Sequence, residues 1–202
     1  MLSDFVHRFV PGEGSRAVLA LHGTGGDEDD LLPLAAAVAP GAAVLSPRGR
    51  VLEHGMARFF RRLSAGVFDE ADIRVQAAAL AEWVGEARVH HGITDRPLIA
   101  LGFSNGANMA AGLLLLHPGL LAAAVLLAPV PPLREPPAAD LRATRVFIGA
   151  GRRDAMGPPP QVERLRADLT ERGAAVDVYW HDRGHEVTAA EADAAAAWVG
   201  VG

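Results

Sequence analysis

Residues 98–116 read LIALGFSNGANMAAGLLLL: an apolar run, a serine between glycines, and then a stretch rich in alanine and leucine. The run from Leu98 to Leu101 is typical of a buried strand, and the stretch from Asn105 to Leu116 is typical of a helix. Between them, residues 102–106 fit the pattern G-x-S-x-G, which holds a serine hydroxyl on a sharp strand-to-helix turn. A chain with 22 Gly and 5 Ser in 202 residues would contain roughly 0.06 such matches by chance. Ser104 is therefore a candidate nucleophile.

Strand-like and helix-like segments alternate along the rest of the chain. Further apolar runs predict strands over 17–21, 42–45, 122–127, 145–150 and 176–180. Helices are expected over 27–39, 69–91, 158–172 and 188–199, and an antiparallel edge strand over 5–10. Because the strands are continuously apolar rather than alternating, they favour a parallel sheet with helices on both faces. We therefore predict one α/β domain over residues 1–202, built on a mostly parallel central sheet.

The segment 48–71 is the longest that fits no regular element. It contains the sequence RFFRR at residues 58–62. Long irregular segments inside a compact domain are usually functional loops. Phe59 and Phe60 are candidates for the wall of a substrate pocket, and plain core packing is an equally good account of them.

Composition excludes several classes of function. The net charge is −5, and all 19 basic residues are arginines without a long cluster, so a nucleic-acid partner is not expected. Without cysteine there can be no disulfide, thiolate metal site or cysteine nucleophile. The longest apolar run, 120–133, is short and interrupted by prolines, so no membrane span is expected. The first ten residues lack the apolar region of a secretory signal, and we expect a cytoplasmic location.

A nucleophilic serine needs a base within hydrogen-bond reach and an acid that orients the base. The histidines downstream of Ser104 are His117, His181 and His185. His117 ends the helix that follows Ser104, away from the carboxyl edge of the sheet. His185 lies in the loop after the last strand, where it can reach across to the serine, so it is favoured over His181.

Several aspartates could supply the acid: Asp140, Asp154, Asp168, Asp177, Asp182 and Asp193. Asp154 alone follows a strand by a short glycine loop at the carboxyl edge, where ligands bind in open parallel sheets. An N-cap or an arginine partner is the alternative role for Asp154, and Asp182 is the second candidate for the acid.

Acyl transfer also needs hydrogen-bond donors for the negative charge that develops on the former carbonyl oxygen. The backbone N–H of Asn105, the residue after the serine, is one expected donor. The other should come from the glycine-rich loop HGTGG at residues 22–26, where Thr24 is the candidate.

Taken together, these segments resemble the α/β-hydrolase superfamily, and in particular its small carboxylesterase/phospholipase branch, which includes the acyl-protein thioesterases. The resemblance covers most of the chain. It is carried by LHGTGGDE at 21–28, SPRG at 46–49, RFFRR at 58–62 with FDE at 68–70, GFSNGA at 102–107, Asp154 and His185. The chain departs from the branch in the proline-rich stretch AMGPPP at 155–160, which we expect to affect substrate range more than mechanism.

The resemblance implies Ser104 as nucleophile, His185 as base and Asp154 as acid, in a hydrolase without a large cap domain. It implies no cofactor, and dimers are common in the branch, so a homodimer is an expectation here. No metal is expected either, because the neighbouring histidines His90 and His91 lack a matching cluster of ligands. The expected function is cleavage of small to medium carboxylic esters through an acyl-enzyme. The alternatives are a thioesterase, a lysophospholipase, or a non-catalytic relative that binds a small ligand.

Overall fold

The computed structural model of the chain describes residues 5–64 and 66–201. Residues 1–4, part of the segment inspected above for a secretory signal, lie outside the described residues, as do Ala65 and Gly202. The elements, in chain order, are β1 (His7–Val10), β2 (Ala17–Leu21), α1 (Leu32–Val38), β3 (Ala43–Pro47), β4 (Val51–Glu53), β5 (Met56–Arg58), β6 (Arg62–Ser64), β7 (Val67–Phe68), α2 (Glu70–His90), β8 (Leu98–Phe103), α3 (Asn105–Leu116), β9 (Ala123–Leu127), β10 (Arg145–Gly151), α4 (Pro159–Glu171), β11 (Ala175–His181) and α5 (Ala189–Gly200).

Seven of the strands form one sheet in the order β1-β3-β2-β8-β9-β10-β11. All neighbouring pairs are parallel except β1 and β3, which pair antiparallel with His7 opposite Pro47. The predicted α/β class, the mostly parallel sheet and the antiparallel edge strand are therefore confirmed. Within residues 5–64 and 66–201 no separate cap domain covers the carboxyl edge.

Helices cover both faces of this sheet. One buried cluster packs α2, α3 and α4 against it and contains Trp83, Met109 and Leu165. The other lies under α1 and α5 and contains Val38 and Val199. Since β8 faces both clusters, Leu98 to Leu101 are all buried, which explains the continuous apolar run in the sequence.

Helix α1 begins at Leu32, five residues later than predicted. The aspartates among residues 27–30, which are of a type favoured at helix N-caps, form local turns instead. The Asp27 carboxylate accepts a hydrogen bond from the backbone N–H of Asp29 at 2.9 Å, and that of Asp30 accepts from Asp27 at 3.3 Å. Asp side chains commonly compete with helices in this way. Pro33 then lies in the first turn of the helix, where its missing N–H costs little.

The sequence predicts no regular element in the segment 48–71, but the structure forms two small hairpins there, β4–β5 and β6–β7. In the first, Glu53 pairs with Met56 across a two-residue turn of His54 and Gly55. Both turn residues have positive φ, 52° and 81°, the backbone geometry that favours glycine in tight hairpins. A hydrophobic pattern is absent because each strand is only two or three residues long.

None of the helices in the described part of the chain is long and apolar enough to cross a membrane.

Candidate active site

Ser104 occupies a strained turn between β8 and α3. Its φ and ψ are 51° and −114°, a conformation that residues other than glycine rarely adopt. The turn is closed because its glycines allow backbone contact: a β-carbon at Gly102 would lie 2.7 Å from the Cα of Ala107, and one at Gly106 would overlap the carbonyl oxygen of Leu21. The backbone N–H of Ser104 donates to Leu127 at 2.9 Å, which ties the turn to β9.

The side chains of Ser104, His185 and Asp154 form a continuous chain of hydrogen bonds. Nδ1 of His185 is 2.7 Å from Oδ2 of Asp154, and Nε2 is 2.8 Å from Oγ of Ser104. A carboxylate can only accept, so Nδ1 carries the proton and Nε2 is left to accept the serine hydroxyl. These contacts span 81 residues of sequence between the serine and the histidine.

Asp154 is fixed in its buried position by backbone groups. Its Oδ1 accepts hydrogen bonds from the N–H of Met156 at 2.8 Å and of Gly157 at 3.1 Å, which leaves Oδ2 for the histidine. The carboxylate is only 1% exposed. The proline-rich stretch after Asp154 thus orients the acid and also brings Ala155, Met156 and Pro158 to the wall of the adjacent cavity.

The competing candidates lie in other contacts. His181 has its Nε2 3.6 Å from the buried carboxylate of Glu191, and its Nδ1 accepts from the N–H of Arg183 at 3.2 Å. Asp182 is 82% exposed and lies 3.6 Å from Arg152. The structure therefore brings His185 and Asp154 together at Ser104, and places His181 and Asp182 elsewhere.

The two expected oxyanion donors, Thr24 and Asn105, line the same cavity as Ser104. Asn105 is the first residue of α3, where a backbone N–H has no partner within the helix. The N–H of Thr24 has no backbone acceptor among residues 5–64 and 66–201. Both groups are thus available to an oxygen bound beside Ser104.

His22 anchors the loop that carries Thr24, a role that the sequence analysis missed. Its Nδ1–H donates to the carbonyl of Gly23 at 2.6 Å, and its Nε2 accepts from the N–H of Gly49 at 2.9 Å. The ring is 1% exposed, and burial lowers the pKa of His22 below its usual value. The neutral ring therefore ties residues 22–24 to the segment after β3.

Arg58 also reaches this loop, and it too was missed. Its Nη1 donates to Oγ1 of Thr24 at 2.6 Å, and its Nε donates to the carbonyl of Phe60 at 3.1 Å. The side chain is 4% exposed and lies 3.2 Å from the carboxylate of Glu53; burial lowers the pKa of Arg58. No local sequence pattern signals such a contact, because Arg58 and Thr24 are 34 residues apart.

Phe59 and Phe60 do not line the cavity, which corrects their assignment as candidate pocket residues. Both are buried in the core, at 2% and 0% exposure. The ring of Phe59 packs against His22, and its backbone N–H donates to Oδ1 of Asn105 at 2.7 Å. Phe59 thus contacts two residues of the site, His22 and Asn105, from the side of the core. Within residues 58–62, the residues that line the cavity are Arg58 and Arg62.

The cavity beside Ser104 has a volume of about 330 Å³. This is within the range of about 300–1,000 Å³ typical of small-molecule sites. Its wall combines the reactive groups with apolar and polar side chains: Thr24, Arg58, Arg62, Gly66, Phe68, Ser104, Asn105, Asn108, Ala128, Val130, Ala155, Met156, Pro158, Gln161 and His185. A larger but more open depression of about 780 Å³, near Pro118 and Arg172, contains none of these groups.

Comparison with known proteins gives this arrangement a family context. No protein-family model matches the chain. A protein of Bacillus subtilis (strain 168) named "Putative hydrolase MhqD" is 43% identical over 192 residues, 95% of this chain and 96% of the relative. The structure of the Bacillus cereus carboxylesterase superimposes with a TM-score of 0.93 at 42% identity, covering 96% of this chain and 92% of that chain.

A carboxylesterase from Mesorhizobium loti gives a TM-score of 0.88 at 37% identity, covering 94% of this chain and 90% of that chain. These similarities extend over nearly the whole length of each protein. The chain belongs to the α/β-hydrolase superfamily, in its branch of small carboxylesterases.

Proposed function

We propose that the protein is a serine hydrolase that cleaves carboxylic esters of small to medium size through an acyl-enzyme intermediate. The observation that carries this proposal is the hydrogen-bonded chain Ser104–His185–Asp154 at the wall of a cavity of about 330 Å³. The relatives from Bacillus cereus and Mesorhizobium loti, which are named carboxylesterases, support an ester as substrate.

In the first half of the reaction, Oγ of Ser104 attacks the carbonyl carbon of the ester while Nε2 of His185 takes the hydroxyl proton. Asp154 holds the imidazole in the required tautomer and stabilises the imidazolium. The N–H groups of Thr24 and Asn105 donate to the tetrahedral oxyanion. The carbon–oxygen bond to the alcohol then breaks, and His185 gives its proton to the departing oxygen.

In the second half, water replaces the alcohol. His185 removes a proton from the water, whose oxygen attacks the acyl carbon and re-forms the oxyanion between Thr24 and Asn105. The bond to Oγ of Ser104 breaks, the serine regains its proton from His185, and the carboxylic acid leaves. No redox change occurs, and one water is consumed for each ester cleaved.

Thioesters and lysophospholipids are alternative substrates for the same groups, since both present an acyl carbon to a serine. The volume of the cavity favours short and medium acyl groups over the long chains of lysophospholipids. A non-catalytic relative that only binds a ligand is the remaining alternative. The cytoplasmic location, the homodimer and the single-domain boundary stay predictions from the sequence.

Labelling with a fluorophosphonate tests the proposal. The wild-type protein and Ser15→Ala, which changes an exposed serine away from the site, should be labelled equally, and Ser104→Ala should not be labelled. We expect kcat/KM for p-nitrophenyl butyrate to fall by about 10⁴-fold or more in Ser104→Ala. Absence of labelling and turnover in the wild type would instead support the non-catalytic alternative. A chain-length series of matched esters and thioesters then identifies the preferred substrate.

A further inference from the structure

The polar side chains around the cavity are mainly hydrogen-bond donors. Two arginines, Arg58 and Arg62, line it together with Asn108 and Gln161. No aspartate or glutamate is among the described residues of its wall. The chain as a whole has a net charge of −5, whereas the charged side chains of the cavity wall are positive.

The two asparagines of the wall have their amide oxygens occupied by backbone donors. Oδ1 of Asn108 accepts from the backbone N–H of Val130 at 2.8 Å, and Oδ1 of Asn105 accepts from Phe59 at 2.7 Å. A backbone N–H can only donate, so each amide oxygen is turned toward it and each NH₂ points away. The Nδ2 of Asn105 is buried without a hydrogen-bond partner among the described residues.

One carboxylate serves both arginines of the wall. Glu53 accepts from Nε of Arg62 at 2.6 Å through Oε1, and its Oε2 lies 3.2 Å from Nε of Arg58. The hydrogen bond from Arg62 lowers the pKa of Glu53, so this group is a carboxylate at neutral pH. Two guanidinium charges and one carboxylate leave an excess of one positive charge beside the cavity.

Donors on both guanidinium groups remain for a ligand. The contacts of Arg62 use Nε, and those of Arg58 use Nε and Nη1. Nη2 of Arg58 and both Nη atoms of Arg62 have no hydrogen-bond partner among residues 5–64 and 66–201. Asp154 is hydrogen-bonded to Nδ1 of His185 and does not line the cavity, so its carboxylate does not occupy the space beside these donors.

We propose that this donor-rich wall binds an anionic group, a carboxylate or a phosphate, carried by the ester substrate. The inference rests on the proposed esterase function and names its substrate class: esters with a compact negative charge a few carbons from the scissile bond, such as half-esters of short dicarboxylic acids. A guanidinium fork matches the paired oxygens of such a group, and the partial burial of Arg58 and Arg62 limits screening by water.

Substrates that differ only in this charge provide the test. Monoethyl glutarate and its neutral counterpart ethyl 4-carbamoylbutanoate have the same length and shape, and a phosphonate analogue of the half-ester distinguishes phosphate from carboxylate recognition. Hydrolysis is followed by titration of the released acid at constant ionic strength. We expect kcat/KM to be at least about tenfold higher for an anionic ester than for the neutral amide, the gain typical of a charge-assisted hydrogen bond.

Arg62→Gln should remove most of that preference, so that the ratio of kcat/KM for the anionic ester to that for the neutral ester falls toward one. Arg61→Gln is the matched control, since Arg61 is 63% exposed, pairs with Asp69 and does not line the cavity. It should keep the full preference. Arg62 belongs to none of the groups assigned to the chemical step, so a loss confined to the anionic ester points to binding of the charge.

A second measurement does not require turnover. Free glutarate should slow fluorophosphonate labelling of Ser104, glutaramide should not, and Arg62→Gln should abolish the protection. Equal or faster hydrolysis of the neutral ester, or labelling that glutarate leaves unchanged, overturns the anion site while the esterase proposal stands. Absence of both hydrolysis and labelling would overturn the proposed function, and this inference with it.

Discussion

At the scale of single residues, the protonation of His185 is decided by the two oxygens of Asp154. Oδ1 is held by the N–H groups of Met156 and Gly157, so only Oδ2 is free to face the imidazole. The acid therefore determines which ring nitrogen carries the proton, and only the tautomer with a bare Nε2 can accept the proton of Ser104.

Asp154→Asn tests this arrangement. The two backbone N–H groups require an oxygen, so the amide NH₂ would turn toward His185 and donate to Nδ1. The proton would move to Nε2, which could no longer act as a base. We expect kcat to fall by about 10³–10⁴-fold with little change in the free energy of unfolding, measured by steady-state kinetics and urea denaturation.

Asp182→Asn is the control for this change, because Asp182 lies in the neighbouring loop and is 82% exposed. It should retain the activity of the wild type. An Asp154→Asn variant with unchanged kcat would show that Asp154 does not orient the base.

At the scale of secondary-structure elements, the packing of α3 against β2 and β8 holds the turn at Ser104. Gly106 contacts the backbone of β2 so closely that a methyl group would overlap the carbonyl oxygen of Leu21. By contrast, a β-carbon at Gly112, six residues along the same helix, would meet only Cγ2 of Ile73 at 3.6 Å, an ordinary contact. Alanine at either position gains the same helix propensity, but only alanine at position 106 would collide with a neighbouring strand. Comparing the two substitutions therefore isolates the effect of the close packing at the turn.

Gly106→Ala should lower the free energy of unfolding by about 1–3 kcal/mol, because the helix must move away from β2. Activity should fall as well, since the N–H of Asn105 would be displaced. Gly112→Ala should instead raise stability by up to about 1 kcal/mol through its better helix propensity. Chemical denaturation of both variants checks the prediction, and equal stabilisation by the two substitutions would be inconsistent with the close packing described.

At the scale of the whole molecule, the sequence predicts the sheet well and the rim of the cavity poorly. The strands are recognisable because burial on both faces requires continuous apolar runs such as Leu98 to Leu101. Ser104 is recognisable because the backbone contacts of Gly102 and Gly106 admit no side chain. Arg58 and Glu53 have no comparable signal: their partners are fixed by how two short hairpins fold over the sheet, which no local periodicity encodes.

The pH dependence of stability is another property of the whole molecule, and Glu191 contributes to it. This carboxyl caps α5 by accepting from the N–H of Thr188, and its Oε1 is buried without a hydrogen-bond partner among the described residues. Burial raises the pKa of Glu191 to about 7. The folded protein therefore keeps a proton that the unfolded chain loses near pH 4.5, the reference value of the group.

Because the folded state binds more protons between about pH 4.5 and pH 7, this group lowers the free energy of unfolding as the pH rises through that window. Glu191→Gln keeps the cap but cannot ionise. The difference in free energy of unfolding between Glu191→Gln and the wild type should therefore grow in favour of the variant as the pH rises from about 4.5 to 7, and should reach up to about 3 kcal/mol at pH 8. Urea denaturation at several pH values measures the gain; Glu163→Gln, at an exposed carboxylate on α4, should show no such trend.

The most direct test of the central claim is to trap the covalent intermediate. The protein is mixed with p-nitrophenyl acetate, quenched in acid within the first turnover, digested and analysed by mass spectrometry. An acetyl group on Oγ of Ser104, formed and lost at rates that match the steady-state kcat, is the predicted result. Rapid turnover with Ser104 unmodified throughout, or acetylation of another side chain at the catalytic rate, would contradict the account.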